Sequence, residues 1–251
     1  MNFLRLRDSG GKIKSLTNEI AQILKVNHTN LSKLHEHITV VELNEKRMAV
    51  FKHINSDQRL VELIRSICSD EMRKIVNGPI SYQVKINVSI HMPYDRSSVL
   101  SAHCDSWAGD SPYQVNVWIP LTKCYQSNSM FIVNRNTSLT WLRAIANGSS
   151  LELIENSNHY NFIEANVGDA ILFNGNLFHG NVCNVTNSTR VSINYRMKHV
   201  AAPEYSLVFP DRSSPFYYMP QSAISGQASS SWRCFDMDYT NQFIKITHGR
   251  I

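Results

Sequence analysis

Two histidines, an aspartate and an arginine carry the chemistry this sequence is equipped for. His103 and Asp105 stand two residues apart, His179 follows 74 residues later (179 − 105), and Arg190 lies eleven further on (190 − 179). On a β-strand an i, i+2 spacing puts both side chains on one face, so His103 and Asp105 can share one ion while Cys104 points away into packing. The third ligand must come from a distant strand. His179, in Phe178-His179-Gly180-Asn181 shortly after the apolar run Ala170-Ile171-Leu172-Phe173, is placed to supply it. Two imidazoles and one carboxylate occupy three positions round a metal and leave the others open, as a non-haem Fe(II) oxygenase requires. Zinc can be held by the same three groups with water in the fourth position. A zinc hydrolase, however, needs a separate general base, and it leaves Arg190 without a task.

Arg190 and Ser192 share one strand face. A guanidinium gives a two-pronged bond to a carboxylate and a neighbouring hydroxyl adds a third contact, so the pair suits the far carboxylate of an acidic co-substrate such as 2-oxoglutarate. Arg196 shares that face but sits roughly 20 Å along an extended strand, at about 3.3 Å per residue, too far to hold the same carboxylate. Its expected place is the surface or the substrate. Lys85, Asn87, Asn116 and Trp118 occupy polar-side positions of their strands; inside a barrel they would line the cavity and touch co-substrate or substrate.

The elements that must position these groups are readable from periodicity. Residues 1 to about 80 read as mostly helical: Ile20, Ile23 and Leu24 follow Leu16-Thr17-Asn18-Glu19, and 58–76 carries Leu60, Leu63, Ile64, Ile67 and Met72 at helical spacing. Asn77-Gly78-Pro79 ends that run. The period then becomes two. In 84–92, Val84, Ile86, Val88, Ile90 and Met92 oppose Lys85, Asn87, Ser89 and His91; in 113–119, Val115, Val117 and Ile119 oppose Gln114, Asn116 and Trp118. In 190–197, Val191, Ile193, Tyr195 and Met197 oppose Arg190, Ser192, Asn194 and Arg196. Further strands are expected at 129–133, 161–165 and 169–174. Many short strands between turns predict a mainly β (α+β) chain: a double-stranded β-helix (jelly roll, cupin-like) over 81–200, with the N-terminal helices of 1–80 packed on the barrel as part of the same domain. Residues 201–251, rich in serine and aromatics without periodicity, form an extension that could cover the barrel mouth.

Composition narrows the function classes. At 251 residues, 43% hydrophobic and 18% charged, the chain has an ordinary globular make-up. The charge of +5 is mild and its densest basic run is Leu4-Arg5-Leu6-Arg7, which speaks for a solvated surface or attraction of a small acid rather than nucleic acid. Five cysteines without a CxxC pair suit a reducing compartment, and no signal-peptide core or membrane-length apolar run is present. The expectation is a cytoplasmic protein acting on a small molecule without membrane or nucleic-acid partners; a homodimer is left open.

These residues resemble the Fe(II)/2-oxoglutarate-dependent oxygenase superfamily, on its phytanoyl-hydroxylase-like side, and within it the carbohydrate-cluster or streptomycin-biosynthesis type. The resemblance is carried by His103-Cys104-Asp105-Ser106-Trp107 with Ala108-Gly109-Asp110-Ser111-Pro112, by Asn116-Val117-Trp118-Ile119-Pro120-Leu121, and by Asn128-Ser129-Met130. Gly168-Asp169-Ala170 and Phe178-His179-Gly180-Asn181 through Arg190-Val191-Ser192 continue it, so it covers about 80–200. It implies Fe(II) on His103, Asp105 and His179, with 2-oxoglutarate chelating the iron and reaching Arg190 and Ser192. It also implies consumption of O2, release of succinate and carbon dioxide, and a substrate bound beside the iron. The product is then hydroxylated, desaturated, epimerised or ring-closed; Asp105 argues against halogenation, which needs a small residue there. A carbohydrate or nucleotide-linked sugar is the implied substrate, with Trp107 and the Gly109-Asp110-Ser111 loop placed to stack on and hydrogen-bond to it. The competing class is a jelly-roll binder or sensor that keeps the metal without oxidising anything.

Overall fold

The computed structural model describes residues 3–105, 110–147, 160–203 and 218–220. Its elements run β1 (Leu4–Arg7), α1 (Lys12–Ile23), a 3-10 segment (His28–Glu36), α2 (Val40–Ser56), α3 (Gln58–Arg65), α4 (Ser69–Val76), β2 (Ile80–Gln83), β3 (Asn87–His91) and β4 (Val115–Pro120). They continue with a short 3-10 turn (Gln126–Asn128), β5 (Phe131–Ile132), α5 (Arg135–Ala146), β6 (Asn161–Phe162), β7 (Asp169–Asn174), β8 (His179–Gly180), β9 (Arg190–His199) and β10 (Tyr218–Pro220).

The helices start where side chains can satisfy their first amides. Asp8 accepts from the Ile13 amide at 2.6 Å at the head of α1. Thr39 and Glu42 form a reciprocal capping box on α2, and Asp57 caps α3. The sequence rhythm over 58–76 suggested one helix. The chain instead breaks at Cys68, whose φ of 52° is left-handed, so α4 leaves in a new direction.

Two antiparallel sheets face one another. Among the described residues the larger has the order β1-β7-β4-β9-β2-β10, with β3 lying beside β2 against β9; the smaller has the order β6-β5-β8. This is the expected double-stranded β-helix. Ile13, Leu16, Ile20, Val50, Ile54 and Ile64 of the helices share one buried cluster with Val117, Ile119, Leu172, Val191, Ile193, Tyr195 and Met197 of the larger sheet. The helices therefore cover its outer face. Trp118, Ile171 and Phe173 look the other way and pack with Met130, Ile132 and Leu177 between the sheets.

One strand and one helix depart from the sequence reading. The strand read over 84–92 is β3 alone and starts only at Asn87, because Asn55 of α2 clamps Ile86 at both ends of its backbone: the Ile86 amide donates to Asn55 Oδ1 at 2.8 Å and Asn55 Nδ2 donates to the Ile86 carbonyl at 2.9 Å. Arg65 similarly donates to the Gln83 and Val84 carbonyls at 2.8 and 3.3 Å. With its backbone served by helix side chains the chain bends before β3, and Lys85 is carried to the exposed surface. Helix α5 was not foreseen; Asn134 caps it by accepting from Thr137, and Trp141 seats it against Phe178 at 5.3 Å between ring centroids. The basic run Leu4–Arg7 keeps both arginines exposed, in line with a solvated surface, and forms an edge strand on β7 with Arg7 on buried Asp169 at 2.8 Å. Of the 201–251 extension, only 201–203 and the strand β10, which pairs with β2, lie among the described residues.

Candidate active site

The smaller sheet brings the histidines together. His103 and His179 form an antiparallel bridge, with amide-to-carbonyl distances of 3.0 and 2.9 Å in the two directions. Paired residues in such a bridge present their side chains on the same side, and the two imidazole centroids lie 4.4 Å apart. Each Nδ1 donates to a backbone carbonyl, His103 to Ser101 at 2.9 Å and His179 to Leu177 at 2.8 Å. This leaves both Nε2 lone pairs directed into the site, the arrangement by which second partners fix metal-ligating histidines.

Asp105 is tied by its amide to the Gly175 carbonyl at 2.9 Å, which swings its carboxylate toward those two Nε2 atoms. Oδ1 is 3.8 Å from each of them. Ligand atoms about 2.1 Å from a shared ion and at right angles lie roughly 3 Å apart, so a small inward shift completes a metal set. The other oxygen, Oδ2, accepts from Asn116 Nδ2 and, at 3.2 Å, from Gln114 Nε2. Arg196 Nη2 donates to Oδ1 at 2.8 Å, and its Nε lies 3.4 Å from Asp110. Burial alone would raise the Asp105 carboxyl; Arg196, then His179, then hydrogen bonds from Arg196 and Asn116 hold it well below the usual carboxylate range. Burial pushes His179 down to about 4, with Asp105 opposing. The site thus offers an ionised carboxylate beside a neutral, buried imidazole.

His103 and His179 open onto a cavity of about 390 Å³ between the sheets. Arg190, Ser192, Asn194 and Arg196 of β9 line it, with Asn87 and Ser89 of β3 and Asn116 and Trp118 of β4. Strand alternation explains this: the opposite residues of β9 are in the core beneath the helices. At its inner end Arg190 is 4% exposed. Its Nη2 donates to Ser89 Oγ at 3.1 Å, while Nε, Nη1 and the Ser192 hydroxyl have no hydrogen-bond partner. Unsatisfied buried donors of this kind are costly unless an anion meets them. His91, paired with Arg190 across β3 and β9, is fully buried and driven down to about 4 by burial and then by Arg190. It is a neutral neighbour to that guanidinium.

Of the residues singled out from sequence, His103, Asp105 and His179 converge within 4.8 Å, and Arg190, Ser192, Asn87, Asn116, Trp118 and Arg196 border the same cavity. Lys85 does not line it. Trp107 lies outside the described residues. Asp110 is buried beside Arg196 and does not line the cavity, whereas Arg196 does line it, with its guanidinium on the Asp105 carboxylate. Gln114, Ser89 and the α2 residue Arg47 were not assigned from sequence; the first two sit on polar strand faces, whereas nothing in the pattern around Arg47 marks it as a cavity residue.

The model of the phytanoyl-CoA dioxygenase (PhyH) family matches residues 9–192, and the chain belongs to that family. It is thereby a member of the Fe(II)/2-oxoglutarate oxygenase superfamily. Among curated proteins it is similar to the streptomycin biosynthesis protein StrG of Streptomyces griseus, 31% identical over 124 residues that make up 49% of this chain and 47% of that one. The chain therefore spans about half the length of that relative. Solved structures similar to it at low identity include apo HygX from Streptomyces hygroscopicus, 16% identical with a TM-score of 0.48, over 82% of this chain and 86% of that one. Another is the non-haem α-ketoglutarate-dependent epimerase SnoN from nogalamycin biosynthesis, at 11% identity and a TM-score of 0.45, over 79% and 78%.

Proposed function

We propose that the chain is an Fe(II)- and 2-oxoglutarate-dependent oxygenase that oxidises a carbohydrate or a sugar carried on a nucleotide. One observation carries the reading: the inner wall that faces the His103–Asp105–His179 set holds a buried guanidinium with two unused N–H groups and an unused hydroxyl on Ser192. That is the complement of a small dicarboxylate whose near end meets a metal. His103, Asp105 and His179 would hold Fe(II); Arg190 and Ser192 would bind the far carboxylate of 2-oxoglutarate. When bound, iron and 2-oxoglutarate turn dioxygen into an oxidant for an unactivated C–H bond, with succinate and carbon dioxide as co-products.

The protein's own part is placement. Asn116 and Gln114 hold Asp105 Oδ2 and Arg196 holds Oδ1, which fixes the carboxylate with Oδ1 turned toward both Nε2 atoms. Phe173 packs edge-on against His179 at 4.9 Å between ring centroids and shields it from water. Among the described residues that line the cavity none is a carboxylate, so the general base of a zinc hydrolase has no candidate there. The outer lining of amides and hydroxyls (Asn87, Asn194, Ser97, Ser98) suits a polyol, and the relative named for streptomycin biosynthesis supports a small biosynthetic metabolite. Cytoplasmic location belongs to the same proposal; no helix among the described residues is long and apolar enough to cross a membrane.

The test is anaerobic addition of Fe(II) and then 2-oxoglutarate, followed by aerobic screening of sugars and sugar nucleotides for succinate release. A weak visible charge-transfer band that needs both additions, and substrate-stimulated succinate, are expected. Tight zinc binding with no 2-oxoglutarate band would overturn the assignment; a band without succinate from any substrate would favour a binder.

A further inference from the structure

Among the described residues three guanidiniums border the cavity, and Asp95 behind the lining is engaged by the Ser97 and Ser98 hydroxyls and the Ser97 amide rather than by any of them. Arg190 is matched to a co-substrate carboxylate. Arg196 has Asp105 and Asp110 on its guanidinium. With a divalent ion, the doubly charged co-substrate, Asp105, Asp110, Arg190 and Arg196 together, the inner site is neutral. Arg47 stands outside that balance. It projects from α2 into the cavity lining, half-buried, and donates to the neutral Asn44 Oδ1 at 2.6 Å; no carboxylate pairs with it among the described residues. α2 packs over β3, the strand that supplies Asn87 to the same lining and pairs it with Asn194 of β9. The outer part of the cavity thus carries one guanidinium among carboxamides and the hydroxyls of Ser97 and Ser98.

We infer that Arg47 is an anion-recognition residue for the substrate, reading a phosphate or carboxylate attached to the sugar while the amides and hydroxyls read its ring. A guanidinium supplies planar, paired donors for such oxyanions, and a neutral sugar would leave that capacity unused. The inference rests on the oxygenase reading above and narrows its substrate from carbohydrates in general to acidic ones. It also gives the N-terminal helices a role in specificity, beyond covering the sheet.

The probes are glucose 6-phosphate, glucose and n-butyl phosphate, each titrated anaerobically into protein loaded with Fe(II) and 2-oxoglutarate. Perturbation of the charge-transfer band and calorimetry report binding. Glucose 6-phosphate is expected to bind about tenfold or more tighter than glucose, with that ratio collapsing in Arg47→Gln and surviving in Arg47→Lys. The band itself reports that each variant is folded and loaded. Equal affinity for the two sugars, or a preference untouched by Arg47→Gln, overturns the role of Arg47 while leaving the sugar reading in place. Butyl phosphate binding that depends on Arg47, with neither sugar binding better, upholds the anion role and removes the sugar. Absence of binding by all three probes in the presence of an intact band counts against both.

Discussion

Replacing Arg190 by methionine separates what this residue does for the fold from what it does for the co-substrate. The guanidinium is 4% exposed and uses one nitrogen on Ser89, with Nε and Nη1 unmet. Holding a cation in that state costs several kcal/mol of desolvation that nothing nearby returns. Methionine keeps most of the stem and removes the charge, so the variant without co-substrate should be at least as stable as the parent. 2-Oxoglutarate, by contrast, loses two charge-assisted hydrogen bonds of about 1.5–3 kcal/mol each. The Ser192 contact stays, so a net loss of about 3–5 kcal/mol corresponds to a weakening of roughly 200- to 5,000-fold. Anaerobic titration of the Fe(II) protein measures this directly. Thermal unfolding gives the second arm: at a hundred times its dissociation constant, 2-oxoglutarate stabilises the parent by about 2.7 kcal/mol, and at that concentration the variant should gain little. Unchanged affinity for 2-oxoglutarate would refute the assignment. A variant that melts far below the parent without ligand would show that the guanidinium is a structural group.

Three further outcomes follow from the geometry. Asn116→Ala removes a donor from Asp105 Oδ2 and should weaken metal binding by about 10- to 100-fold, as measured by chelator competition; full affinity would show that Gln114 and Arg196 suffice. Gly180→Ala would place a methyl group 2.6 Å from the Leu100 carbonyl oxygen and 3.0 Å from the Ser101 carbonyl and Phe131 ring. Backbone oxygens cannot step aside, so a loss of about 1–3 kcal/mol in unfolding and weaker metal binding through the displaced neighbour His179 are expected; a variant matching the parent in both would sink the argument. The folded-state value of His91, about 4, lies below its unfolded value of roughly 6.5. Between those limits the unfolded chain takes up the proton, so this contribution to stability is complete above about pH 6.5 and is lost as pH falls toward 4, with a slope of up to about 1.4 kcal/mol per pH unit. Denaturant midpoints across that range should flatten in His91→Gln, and an unaltered slope would remove His91 from the account.

The sequence was most informative where one strand carries both a wall of the core and a wall of the site. Along β9 a single alternation separates Val191, Ile193, Tyr195 and Met197 from Arg190, Ser192, Asn194 and Arg196, and the structure sends the two sets to opposite faces. His103 and Asp105 do converge as their i, i+2 spacing suggested, but from an isolated bridge and a turn rather than along a strand. What the sequence could not convey is which side chains from separate elements meet. Distance along β9 set Arg196 apart from Arg190, yet carried no information that the Asp105 loop folds back to meet Arg196. The break at Val84 and Lys85 was hidden because its cause, Asn55 and Arg65, lies on helices 20 to 30 residues earlier (85 − 65, 85 − 55). Helix α5 sits between strands whose own patterns are only two residues long, too short to fix where a helix could enter.

Those long-range contacts decide the electronic state of the site. A carboxyl buried as deeply as Asp105 would favour its proton if only the solvent-excluding wall acted on it. Arg196 and the amide of Asn116, from adjacent strands β9 and β4, reverse that preference, and Asp110 keeps Arg196 in position. On the histidine side burial itself holds His179 below the usual imidazole range, and each Nδ1 donates to a main-chain oxygen, so that each Nε2 is the nitrogen facing the site. All three donor atoms are therefore prepared by groups that never touch the metal. The motif of histidine, aspartate and histidine marks the candidate ligands, but the residues that keep Asp105 ionised and aimed at the two imidazoles are distributed over β4, β9 and the turn at Gly175, and only the closed barrel brings them into one place.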